Sequence, residues 1–241
     1  VVEPDMKGGL VLYDISNTRD PKFIRHVETD GNGIHRPVYD PKRKLLYSGG
    51  FKDGCNGRVL LIHDMKNPSD PELIGEGWVP GQNEAAHEEP TWDLNLLTPK
   101  SVDLHEAQPY GNYVTCAWRR GGYGMMDLTD PSRPRFMWRQ NPYETHNWSP
   151  AAHTFLVPEG SPFGILLGET HTVNCAHPPA FTTFFDMRNF EHPISISTFN
   201  PYPIDPITMR PKDESWCQQG ARYGAHNTWQ WMKADDLLYL T

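Results

Sequence analysis

The chain has 241 residues, of which 37% are hydrophobic and 12% aromatic, and it carries a formal net charge of −8. That much apolar material excludes a disordered chain, and the acidic balance argues against a nucleic-acid partner, which calls for a basic face. No apolar run approaches the roughly 18 residues that a spanning helix needs, so no transmembrane segment is expected.

Proline (23) and glycine (20) are spread along the chain, which predicts many short strands joined by tight turns. In chain order, a first hairpin runs through Leu12-Tyr13-Asp14 to Pro21. An inner strand is expected after His35 and a second at Leu45-Leu46-Tyr47. A hairpin follows from Ile62-His63-Asp64 to Pro71. The series then repeats: His105, Tyr113-Val114-Thr115, and Met125-Met126-Asp127 to Pro134. It repeats again with His153, Ile165-Leu166-Leu167, and Phe184-Phe185-Asp186 to Pro193. It closes with His226 and Leu237-Leu238-Tyr239.

Each hairpin has an Asp, an Asn or Asp three residues later, and a Pro seven residues after the first Asp. Asp and Asn side chains bond nearby backbone N–H groups and fix a turn. The Pro cannot donate to a ladder, so the strand it opens must be an edge strand. The Asp-to-Asp spacings of 50, 63 and 59 residues are too long for hairpins alone and suit propeller blades. The predicted fold class is all-β, a β-propeller of four-stranded antiparallel blades. The chain reads as one domain, 1–241, with blade units near 1–30, 31–80, 100–143, 148–203 and 222–241. That makes three full and two half blades, and a piece of a longer protein is expected.

The hairpins Leu10-Val11-Leu12-Tyr13-Asp14-Ile15-Ser16 and Gly124-Met125-Met126-Asp127-Leu128-Thr129-Asp130-Pro131 resemble the LVIVD repeat of bacterial and archaeal propellers. The resemblance extends over nearly the whole chain and implies a parent of about seven blades. It says little about activity. The four cysteines, Cys55, Cys116, Cys175 and Cys217, are widely separated and contain no CxxC pair. Their spacing predicts neither a disulfide framework nor a zinc ribbon, and the compartment stays open between cytoplasm and export.

His35, His105, His153 and His226 all fall at the start of the innermost strand. In a propeller that strand lines the channel, so the four side chains converge at one mouth. Imidazole suits a transition metal, with iron or copper favoured and zinc or manganese compatible. A repeated structural histidine, as in WD40 blades, is the competing explanation. Loops on the same face add Arg119 and Arg120, suited to an anion, and the polar run Glu169 to His177 with His171 as a base. The long loop from Pro80 to Lys100 carries His87-Glu88-Glu89, where Glu88 is expected to orient a ligand or act as a base. The second long loop, Pro201 to Tyr223, carries Trp216, Cys217 and Arg222. Trp118, Trp148 and Trp229 are read as packing or as a pocket wall. His26, His63, His146 and His192 are given no role.

These features point to a metal-dependent enzyme acting on a small molecule, with catalytic roles for Glu88, Arg119, Arg120 and His171 and an oxidoreductase preferred. The arrangement is similar in kind to propeller metalloenzymes with axial histidines, such as carotenoid oxygenases, whose sequence pattern this chain does not carry. A non-catalytic cell-surface scaffold and a propeller hydrolase or lyase are the alternatives. The oligomeric state is not legible.

Overall fold

The four Asp-to-Pro segments fold into one recurring turn. Asp14, Asp64, Asp127 and Asp186 each accept, through Oδ1, the N–H two residues further on, at 2.8–3.0 Å. Asn17, Asn67 and Asp130 repeat the bond to Arg19, Ser69 and Ser132 at 3.0–3.2 Å. These local bonds satisfy turn N–H groups that a ladder leaves free. The strands after the turns begin one residue past each Pro, at Lys22, Glu72, Arg135 and Ile194.

The computed structural model describes residues 7–92, 102–141, 150–176, 180–200, 202–220, 222 and 224–228. A two-stranded sheet holds β1 (Gly9–Asp14) and β2 (Lys22–Glu28). The next sheet runs in order β3 (Asp30–Asp40), β4 (Leu45–Phe51), β5 (Val59–Asp64) and β6 (Glu72–Gly77). A third holds β7 (Glu106–Tyr110), β8 (Tyr113–Ala117), β9 (Tyr123–Asp127) and β10 (Arg135–Gln140). The last holds β11 (Pro150–Leu156), β12 (Phe163–Thr170), β13 (Thr182–Asp186) and β14 (Ile194–Phe199). Every neighbouring pair is antiparallel. Helix is confined to a 3-10 turn at Glu84–Ala86 and to α1 (Ser215–Gln218) among the described residues. Neither crosses a membrane.

Burial grades across each sheet. Strands β4, β5 and β9 are almost wholly buried, whereas β14 is exposed at every position. The sheets stack face to face in chain order. Leu45, Tyr47, Leu60 and Ile62 of one sheet pack against Ala107, Val114, Cys116 and Met126 of the next. Ala117, Tyr123 and Met125 then pack against Ala152, Phe155, Leu166 and Phe185. The Leu, Ile, Val, Met and Phe side chains among these contribute roughly 1.5–3 kcal/mol each when fully buried, and the alanines less.

The stack also brings the inner strands close together. A Cβ on Gly49 would stand 2.4 Å from the Leu104 carbonyl oxygen, so only glycine lets β4 approach the segment ahead of β7 this closely. The strand expected after each histidine differs in its start. His105 does precede β7, with its N–H bonded to the Ala117 carbonyl at 2.8 Å. His35 and His153 instead lie inside β3 and β11, beside register shifts at His35/Val38 and Ala152/Thr154. Such bulges re-aim a side chain out of the pleat. The expected strand at Leu237-Leu238-Tyr239 lies outside the described residues, as do His146, Trp148, His177 and Trp229. Trp118 is fully buried and packs on Phe136, a core role.

Candidate metal centre

Four separate segments deliver His35, His105, His153 and His226 to one place. Their rings form an unbroken series, with centroid separations of 4.5, 3.9 and 4.3 Å. His105 and His153 are buried, and His35 is partly so. The Nε2 atoms of His35 and His105 face each other at 2.9 Å.

The neighbouring acceptors decide where the protons sit. The His105 Nδ1–H donates to the His153 carbonyl at 2.9 Å, since a carbonyl can only accept. In the neutral ring, Nε2 therefore keeps its lone pair. The Thr154 hydroxyl donates to Glu106 Oε2 at 2.9 Å, so its Oγ1 accepts from His153 Nδ1–H, also at 2.9 Å. His153 thus also carries its lone pair on Nε2, while that of His105 accepts from His35 Nε2–H. Second partners of this kind are what orient ligand histidines.

Glu106 anchors the arrangement. It is 4% exposed, and its Oε2 also accepts from Arg36 Nε at 3.1 Å, while Oε1 accepts from Gln108. Arg36 reaches on to Asn227 Oδ1 at 2.5 Å. The residue after each histidine, Arg36, Glu106, Thr154 and Asn227, therefore joins one bonded network. Sequence reasoning missed this tier. The signal was present, because all four following positions are polar and two of them, Arg36 and Glu106, carry opposite charges.

Burial pushes the histidines toward the neutral form. His35 falls to about 4 because of burial, with Arg58, Arg119 and Arg36 adding repulsion. His105 and His153 fall further, again mainly by burial. Neutral imidazole is the form that binds a metal.

The other side of the cluster is built on loops. Glu169, at the end of β12, pairs with the Arg222 guanidinium and lies 3.6 Å from both His226 Nε2 and His171 Nε2. Burial lowers both histidines, with Glu169 opposing. Among the described residues, two groups of side chains could hold a metal ion: His105, Glu106 and His153, and His153, Glu169 and His226, each with ligand atoms within 4.8 Å of one another. In the first, Glu106 is already engaged by Arg36, Thr154 and Gln108, which leaves the two imidazoles as its donors.

Arg119 and His171 sit beside this cluster. Asp103 receives Arg58 at 3.4 Å and Arg119 at 3.6 Å. Arg120 follows Arg119 and makes no hydrogen bond or ion pair through its guanidinium among the described residues. Glu88 is engaged by its own loop: it accepts from Trp78 Nε1 at 3.1 Å and from the Gly81 N–H at 2.7 Å. Burial raises its carboxyl, but these bonds outweigh that and hold it below its ordinary value. It makes no hydrogen bond or ion pair with the four histidines among the described residues.

The cysteines behave differently from the expectation drawn from their spacing. Cys175 and Cys217, 42 residues apart, form a disulfide, while Cys55 and Cys116 are free. The bond ties the loop after His171 to α1. It was missed because the pairing is made by the fold, and no local spacing encodes it.

No family model and no curated protein matches the chain. Among solved structures it is similar to the computationally designed Ika8 protein (9% identity, TM-score 0.47, 92% of this chain, 47% of that one). It is also similar to a protein from Lactobacillus plantarum (10%, 0.43, 94% and 68%). A functionally unknown protein from Desulfotomaculum acetoxidans gives 11%, 0.38, 83% and 66%. The chain spans about half the length of the designed protein and about two thirds of the other two. At these TM-scores none of the likenesses bears on the function.

Proposed function

We propose that the stacked sheets are blades of a β-propeller and that His35, His105, His153 and His226 hold one transition-metal ion at the mouth of its channel. The chain then acts as a metal-dependent oxidoreductase on a small organic substrate. One observation carries the reading: His105 and His153 both have their Nδ1 protons engaged by the chain, which leaves neutral Nε2 donors inside one cluster.

The donor types favour iron or copper, which imidazole suits. His35 Nε2–H donates to the His105 Nε2 lone pair at 2.9 Å, and a bound ion would take the place of that proton. Glu169 adds a carboxylate beside His153 and His226, a combination that suits iron. A bound redox metal supplies electron transfer or oxygen activation. The chain's own groups do the rest. Glu106 and Thr154 hold His153 in its donor tautomer, and His171, 3.6 Å from Glu169, is placed to take a proton from a substrate.

Elemental analysis of the purified chain, grown with iron and copper supplied, tests this. About one ion per chain is expected, falling at least tenfold in His105→Ala and in His153→Ala. Sub-stoichiometric metal that both variants leave unchanged overturns the reading.

A further inference from the structure

The charges around the histidines do not balance. Arg36 is answered by Glu106, and Arg222 by Glu169. Arg58 and Arg119 share the single carboxylate of Asp103. Arg120 meets no carboxylate among the described residues. Among the described residues, five guanidiniums thus face three carboxylates. The Arg58 and Asp103 side chains are 11% and 18% exposed and Arg119, which shares the same carboxylate, 34%, so this charge is partly dehydrated. A partly dehydrated surplus of positive charge is relieved by an incoming anion.

The backbone places these side chains deliberately. Arg119 holds a left-handed φ of 48°, costly for a residue with a Cβ. Its carbonyl accepts the Ala152 N–H at 2.8 Å, one residue ahead of His153. The Arg120 carbonyl is taken by Asn141 Nδ2 at 2.7 Å. The backbone of two consecutive arginines is therefore anchored, with Arg119 bonded directly to the strand that carries His153. Arg119 also reaches Asp103 at 3.6 Å, two residues ahead of His105, so its guanidinium lies beside the histidine-bearing segments.

We propose that Arg119 and Arg120 bind the carboxylate of a small organic acid beside the histidines, so that the substrate is a carboxylic acid anion. The planar fork of arginine matches a carboxylate through two parallel hydrogen bonds. Naming this anion the substrate rests on the metal-centre reading; the binding itself does not.

Calorimetric titration of the full chain, metal-free and metal-loaded, with benzoate and with its neutral counterpart benzamide separates the two ideas. Benzoate is expected to bind both forms and benzamide neither. Arg120→Gln and Arg119→Gln are each expected to weaken benzoate at least tenfold while their metal content stays at the wild-type level, and Arg120→Lys is expected to recover part of the loss. Equal binding of benzoate and benzamide, or benzoate affinity unchanged in both glutamine variants, overturns the anion site whatever the metal content. Inorganic phosphate binding more tightly than benzoate at the same arginines overturns the carboxylate assignment. Benzoate binding by a chain that holds no metal leaves the site standing and defeats only the metal-centre reading.

Discussion

The two halves of the histidine cluster are built on different principles. His35 and His153 come from the edge strands β3 and β11 and His105 from the residue just ahead of β7, where backbone bonds hold the chain and a carbonyl and a hydroxyl place the protons of His105 and His153. His226 and His171 come from loops, face the carboxylate of Glu169, and have side chains 43% and 22% exposed. The strand-borne half supplies neutral donors, and the loop-borne half gathers around the charge of Glu169. Precise lone pairs need a rigid backbone. Charge acts over longer distances and tolerates a softer one.

The largest test of this contrast removes the cross-link beneath the loop half. Cys175→Ser combined with Cys217→Ser opens a loop of 42 residues, which chain entropy values at about 4 kcal/mol. The urea midpoint should fall accordingly, while metal bound through the strand-borne histidines is retained. An unchanged midpoint would show that the loop half holds itself.

Glu106→Gln strikes the other half. It leaves Arg36 unanswered and weakens the acceptor for Thr154, which should cost about 2–3 kcal/mol, less than a fully buried pair because Arg36 is 37% exposed. Metal affinity should drop about 10- to 100-fold, the usual effect of losing an outer partner. Glu169→Gln should cost only about 1 kcal/mol in stability, since Arg222 is half exposed. Equal losses from the two substitutions would erase the distinction.

Acid offers a milder probe on metal-free protein. His105 and His153 titrate well below the unfolded value of about 6.5, so the unfolded chain binds more protons as pH falls beneath it. Stability is therefore full above about pH 6.5 and declines below it, by on the order of 1.4 kcal/mol per pH unit for each histidine kept neutral. Denaturant melts at pH 7, 6 and 5 check this, and a flat profile contradicts it. The smallest effect belongs to His63, fully buried with neither ring nitrogen hydrogen-bonded among the described residues. His63→Leu should be neutral or stabilising by about 1 kcal/mol and should flatten part of the acid slope.

The hairpins were legible because their chemistry is local. The bond from Asp14 to Ser16 spans two residues, and Pro21 announces an edge strand by lacking a donor. The convergence of the four histidines was legible because one position recurs in each unit. What joins them was not. Glu106 gains its meaning from Arg36 and Thr154, which lie on other sheets, and Cys175 finds Cys217 only after the loops are placed. Glu88 reads in sequence as a base or as a partner that orients a ligand, yet its oxygens are taken by Trp78 and by the turn it sits on.

The recurring Asx turn also bears on the order of folding. Those turns close loops of a few residues, where the entropic cost is small and closure is fast. The bond between Arg36 and Asn227 joins residues 191 apart and can form only after the intervening sheets have docked. Hairpins then come first, sheets next, and the imidazole cluster last. A chain stalled midway would present finished hairpins and exposed edges but no donor set, so metal uptake would time the final step of assembly.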